Sequence, residues 1–206
     1  MADLMPMIHA ERAALADHLS TLTTDQWAAR TWCDKWAVQD VVGHLIAAAK
    51  ITAPHFFGGF IATGFSFDKF VEKDLRHYAT GAPAAVLGRF REIITSTRKP
   101  PGPVYVALGE VMVHGEDIRR ALGSRGEHPA DHLVTLGEMY KKTGAPLHGK
   151  RRVAGLTLRA TDVDWTSGTG PEVTGPAMSL ILAMVGRKAA LVDLAGPGLE
   201  VLRSRQ

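Results

Sequence analysis

Apolar residues recur at helical spacing along four long stretches in the first two-thirds of the chain, and this pattern constrains the fold more than any other feature. "MPMIHAERAALADHLSTL" places Ile8, Ala14, Leu15, Leu19 and Leu22 near one helical stripe. "WAVQDVVGHLIAAAKI" does the same with Val38, Val41, Val42, Leu45 and Ile46, and Pro54 follows its end. "PAAVLGRFREIITST" opens at Pro83 and keeps Val86, Leu87, Phe90 and Ile93 in register. "PVYVALGEVMVHGEDIRRALG" opens at Pro103, a first-turn position that needs no amide hydrogen, and stops at Gly123. Four long helices predict an antiparallel bundle. The Gly- and Phe-rich run "HFFGGFIATGFSFDKF" reads as a loop or a broken helix, and its phenylalanines as a pocket wall or as ordinary core. "PADHLVTLGEMYKKTG" reads as a further short helix.

The period changes near Lys150. "RRVAGLTLRATDVDW" alternates, with Val153, Gly155, Thr157 and Arg159 on one face and Ala154, Leu156, Leu158 and Ala160 on the other. The turn-rich "TSGTGPEV" follows, so a strand pair is expected. "GPAMSLILAMVGR" then reads as one buried helix between Pro176 and Gly186, and helix or short strands finish the chain. The fold class is therefore mainly α: a four-helix bundle over residues 1–145, followed by a small α+β domain over 146–206.

Composition excludes several function classes. Hydrophobic residues make up 46% of the 206 and charged residues 22%, as in ordinary globular domains. The net charge of +3 is dispersed apart from "KKTGAPLHGKRR", which reads as a solvated linker, so no nucleic-acid partner is expected. No apolar run reaches the ~18 residues of a membrane span, and the N-terminus lacks the basic-then-apolar pattern of a signal peptide. A single cysteine, Cys33, forbids an internal disulfide and fits a reducing cytoplasm. It reads as a half-buried thiol in preference to a nucleophile. A monomer or homodimer is expected.

The chemistry concentrates in "GEVMVHGEDIRRALG". Glu110 and His114 are four residues apart, which on a helix means ~40° around the axis and ~6 Å along it. Together they offer one carboxylate oxygen and one imidazole nitrogen to a common ion. Asp117, three residues after His114, competes with Glu110 for that role. A third ligand must come from another helix, and His44, amid apolar neighbours in "VVGHLIAA", is the candidate. Asp40, one turn earlier, either receives the second ring N–H of His44 or complements the helix dipole, and the dipole role is preferred because first-turn acids are common. His128 and His132 share the same spacing, but Pro129 puts His128 at or before a helix start, so they do not share a face. Asp74 and His77 read as a polar helix face. His9, His18 and His55 have no partner at a telling spacing.

Three stretches, in order, resemble the mycothiol-dependent maleylpyruvate isomerase family, a branch of the DinB-like metal-binding bundles. "WAVQDVVGHL" is similar to its tryptophan-start helix, "EVMVHGEDIRRALG" to its second metal helix, and "VTGPAMSLILAMVGR" to its sterol-carrier-like C-terminal domain. The resemblance implies a divalent metal ion, usually zinc, on His44, Glu110 and His114, the same three residues. It implies mycothiol as the thiol cofactor, a small electrophile as substrate, an actinobacterial cytoplasm, and a thiol transferase or isomerase activity in which a metal-held thiolate attacks an electrophilic carbon. Arg187 either helps hold the cofactor or complements a helix C-terminus. One departure is Ala37, where the family usually has a Ser or Thr cap. The alternative is a non-catalytic bundle that binds metal or a small ligand; a fourth protein ligand, Cys33 or Asp117, would point that way.

Overall fold

The computed structural model describes residues 3–33 and 35–206. Contacts divide the chain into two compact units, one ending at Gly126 and one spanning Glu127–Gln206.

The first unit holds α1 (Met5–Ser20), α2 (Thr24–Ala28), α3 (Val38–Lys50), α4 (Ala53–Ala62), α5 (Phe67–Ala79), α6 (Pro83–Arg91) and α7 (Val104–Ala121). The helices expected from periodicity form, except that the third stops at Arg91, so that Ile93 is buried from the turn beyond it. α3 packs against α6 and α7, and α1 packs against the same two. Ile8, Leu15 and Leu19 of α1, Val41, Val42 and Ile46 of α3, Phe90 of α6, and Leu108 and Met112 of α7 are all buried. Each such side chain stabilises the bundle by roughly 1.5–3 kcal/mol relative to exposure.

α3 begins without a side-chain cap, because its N-cap is Ala37. Asp40 supplies part of what is missing: its Oδ2 accepts from the Ala37 amide at 3.0 Å. This is the return arm of a capping box, with an acid in the first turn where the helix dipole favours it.

The Gly- and Phe-rich run is a broken helix. α4 and α5 are separated by a turn in which Gly64 and Phe65 both have positive φ. α5 then packs along α3 more extensively than any other helix does. Gly43 makes that approach possible: a Cβ there would stand 2.7 Å from the Leu75 carbonyl and 2.8 Å from the Ala79 Cβ. Only Phe70 of the phenylalanine cluster is deeply buried; Phe57 and Phe65 are exposed. Ring contacts join Phe56, Phe57, Phe60, Phe65 and Phe70, and of these five Phe70 alone belongs to the core.

The second unit holds α8 (Ala130–Tyr140), α9 (Gly149–Val153), β1 (Thr157–Ala160), β2 (Thr166–Gly168), β3 (Glu172–Gly175), α10 (Ala177–Met184), a 3-10 helix (Lys188–Asp193) and α11 (Leu199–Arg203). The expected strand pair is a three-stranded sheet in the order β2-β1-β3, antiparallel on one side of β1 and parallel on the other. Leu156, Leu158 and Ala160 are buried and Arg159 is exposed, as the alternation predicts, but Ala154 is exposed, because the chain is helical up to Val153 and extended only from Thr157. Every residue of α10 is buried.

The boundary read at residues 145–146 falls inside this unit. α8 packs against α10, and a Cβ on Gly137 would come within 2.9 Å of the Trp165 ring. Trp165 Nε1 also donates to Glu138 at 3.1 Å. The change of sequence period near Lys150 falls on α9, ahead of β1, whereas the compact unit already begins at Glu127. Among the described residues no helix is long and apolar enough to cross a membrane.

Candidate metal centre

His44 on α3 and Glu110 and His114 on α7 converge. His44 Nε2 lies 2.7 Å from Glu110 Oε2, and His114 Nε2 lies 3.5 Å from the same oxygen. The two imidazoles meet edge to face, with centroids 5.1 Å apart. One ligand atom from each of the three residues lies within 4.8 Å of the others. Two imidazole nitrogens and one carboxylate oxygen suit zinc, and three protein ligands are the number a catalytic zinc commonly takes. Both helices are anchored by buried apolar residues on either side of the site, so the donor atoms are held by packed secondary structure.

Exposure differs across the cluster. The His44 and His114 side chains are 14% and 12% exposed and that of Glu110 is 29%. Solvent therefore reaches the cluster from the Glu110 side.

Behind His114 stands Asp117, which spacing alone places in competition with Glu110. Asp117 is fully buried, and its Oδ2 accepts from His114 Nδ1 at 3.0 Å. A carboxylate on the far nitrogen of a metal-ligating histidine fixes its tautomer and ring orientation. Asp40 reaches the Ala37 amide, not His44. The signal for Asp117 was its position one turn from His114, and ring orientation, which spacing does not specify, separates it from Glu110. Trp36 packs over both imidazoles, with centroids 4.9 Å from His44 and 6.0 Å from His114.

Burial opposes charge on His114, but hydrogen bonds to Asp117 and Cys33 and the charges of Glu110 and Asp117 outweigh it. The net effect raises its pKa to about 10. Cys33 is thus half-buried and engaged with His114, and it forms a second possible ligand group with His114 and Asp117.

The remaining sequence candidates separate from this cluster. α8 starts at Ala130 with Pro129 as its N-cap, so His128 precedes the helix and His132 lies within it. Asp74 accepts from His55 Nε2 at 2.8 Å, a pair that spacing did not suggest, while His77 is exposed. Arg187 lies in the second unit, half-buried, just before the 3-10 helix. Another residue meets the end of α10: Arg152 Nη1 donates to the Met184 carbonyl at 3.0 Å.

Fold and site define a helical bundle with a three-residue cluster of metal-ligand type between two of its helices. Residues 8–101 match the family model of the mycothiol maleylpyruvate isomerase N-terminal domain. The match includes His44 and stops short of Glu110 and His114. A solved mycothiol-dependent maleylpyruvate isomerase is similar in fold, with a TM-score of 0.64 at 14% identity over 94% of this chain and 91% of that one. A histidine-to-alanine mutant of such an enzyme gives 0.63 at 13%, with the same coverage. No curated protein matches the chain by sequence.

Proposed function

We propose that the protein is a metal-dependent enzyme that uses a low-molecular-weight thiol, mycothiol, on a small electrophile, as an S-transferase or isomerase. The observation that carries this reading is the convergence of His44, Glu110 and His114 from α3 and α7, open to solvent on the Glu110 side. The names of the structural neighbours support the choice of thiol and of reaction class.

In this reading His44 Nε2, Glu110 Oε2 and His114 Nε2 hold the ion, zinc by the nature of the donors. A divalent ion bound there lowers the pKa of a thiol, so that sulfur is nucleophilic near neutral pH without a dedicated base. Asp117 keeps the His114 proton on Nδ1 and leaves Nε2 as the donor atom. Trp36 keeps both rings in place and shields them from water. The reaction is addition of the thiol sulfur to an electrophilic carbon; keeping the C–S bond gives transfer, and breaking it after rotation gives isomerisation. Use of mycothiol places the protein in an actinobacterial cytoplasm.

A second reading, a non-catalytic metal-binding bundle, draws on the Cys33, His114 and Asp117 group. A thiolate added to the ligand set would close the site, as in structural zinc centres. Incubation with mycothiol and a panel of electrophiles separates the two. The enzyme reading expects thiol consumption that stops on chelation and returns with zinc. No consumption across the panel by zinc-loaded protein transfers the weight to the binding module.

A further inference from the structure

α4 turns an apolar side to water. Among the described residues, those of α4 are half-buried or exposed without exception. Pro54, Phe57, Gly58, Ile61 and Ala62 are exposed. They recur at three- and four-residue steps, so they share one stripe of the helix. Phe65 follows in the turn beyond. Ring contacts run from Phe57 through Phe56 and Phe60 to Phe65, so the patch is continuous. Phe57, Ile61 and Phe65 are 57%, 62% and 68% exposed. A surface helix ordinarily buries such a stripe and gives water its polar side.

Two details have no reason within a single chain. Gly58 lies inside α4, where glycine weakens a helix, yet a Cβ there would meet nothing within 4 Å among the described residues. Gly59 is different, because a Cβ there would stand 2.5 Å from the Phe70 ring. Gly59 thus makes room for a neighbour in its own chain, whereas Gly58 leaves room for something outside it. Phe65 has a φ of 60°, a left-handed conformation that bulky side chains rarely adopt. A ring held there and left in water gains the isolated chain nothing.

The chemistry of the stripe selects its occupant. From Ile51 to Ser66 the one ionisable side chain is His55, and its ring pairs with Asp74 of α5. Helices that lie on membranes carry lysine and arginine beside the apolar face, and α4 has neither. A second copy of the same stripe meets no like charge. A two-fold axis over Ile61 brings Phe57, four residues before it, toward Phe65 of the other copy, four residues after it. Phe57, Ile61 and Phe65 expose roughly 350 Å² per copy, taking each side chain at about 200 Å². With Pro54, Gly58 and Ala62 included, two copies would cover about 1,000 Å² in all, the area at which specific association begins.

We propose that α4 is a homodimer interface, in which two copies of this chain pair their exposed stripes antiparallel across a two-fold axis near Ile61, with Gly58 letting the helices approach. The interface uses none of His44, Glu110 and His114 and does not depend on the proposed function.

Sedimentation equilibrium of the full-length protein from about 1 to 200 µM tests it, a range that spans a weak dimer. Wild type should pass from monomer to dimer within that range. Ile61→Glu and Ile61→Lys each set like charges against one another at the axis and should weaken association about tenfold or more. An equal mixture of the two should restore a dimer. Gly58→Gln should weaken it as well, with the thermal midpoint unchanged or higher, since the new side chain meets nothing in its own chain. This variant keeps the test valid if an Ile61 variant fails to fold. Val192→Glu, at an 84% exposed position of the second unit, should leave association unchanged. A monomeric wild type, a dimer that survives Ile61→Glu and Gly58→Gln, or a dimer lost equally in Val192→Glu overturns the interface. So does a mixture of the two Ile61 variants that remains monomeric. A monomeric wild type that sediments with vesicles of phosphatidylcholine and phosphatidylglycerol, and no longer does so in Ile61→Glu, gives the stripe to a membrane surface and overturns the dimer.

Discussion

On α7, His114 Nδ1 lies 3.0 Å from the buried carboxylate of Asp117, one turn away, while the other ring nitrogen of His114 faces Glu110. The two nitrogens of one imidazole thus have separate tasks, one held and one presented. Asp117→Asn keeps the shape and removes the anion. Zinc affinity, measured by competition with a chelator, should fall about 10- to 100-fold. Unchanged affinity would assign Asp117 to packing alone.

Asp40 offers the contrasting case. Its carboxylate takes the Ala37 amide at the start of α3. Asp40→Ala should cost about 0.5–1 kcal/mol in urea denaturation, through the lost cap arm and dipole term. Zinc affinity should stay within about twofold, since losing a carboxylate that orients a ligating histidine costs more than that. A loss of affinity as large as that of Asp117→Asn would return Asp40 to the metal site.

These two acids show what a sequence can and cannot disclose. Each lies about one turn from a metal-type histidine, so spacing treats them alike; only ring orientation in the packed bundle separates them. His44, Glu110 and His114 were legible because each sits on a helix whose apolar neighbours fix its inward face. α5 was less so: Phe70, Leu75 and Ala79 are its deeply buried residues, set among charges and preceded by glycines. β3 lay inside a turn-rich run, and its pairing with β1 is a non-local contact that local pattern does not carry.

The approach of α3 to α5 depends on Gly43. A Cβ at that position meets backbone at 2.7 Å, and backbone cannot rotate aside. Gly43→Ala should destabilise the protein by about 1–3 kcal/mol through overpacking, read as a lower denaturation midpoint. A gain in stability, as expected for alanine in an unhindered helix, would mean that the two helices lie farther apart.

In the second unit Glu138 accepts from Lys141 at 2.6 Å and from Trp165 at 3.1 Å. Its pKa is lowered from 4.5, first by the Lys141 hydrogen bond, with burial opposing and Trp165 assisting. A depressed carboxylate stabilises the fold above its unfolded pKa, and that contribution is lost as pH falls through the folded value. Thermal melts from pH 6 down to 3 should therefore show a steeper loss for the wild type than for Glu138→Gln. Parallel curves would deny the pair any part in acid stability.

The central claim is that three side chains from α3 and α7 share one ion. Elemental analysis of protein purified without a histidine tag tests it most directly, alongside His114→Ala prepared identically. The expected result is about one divalent ion per wild-type chain, as a single three-ligand centre would hold, and essentially none in the variant. Wild-type protein that is metal-free and stays so when titrated with zinc, or a variant that holds as much metal as the wild type, would contradict the account.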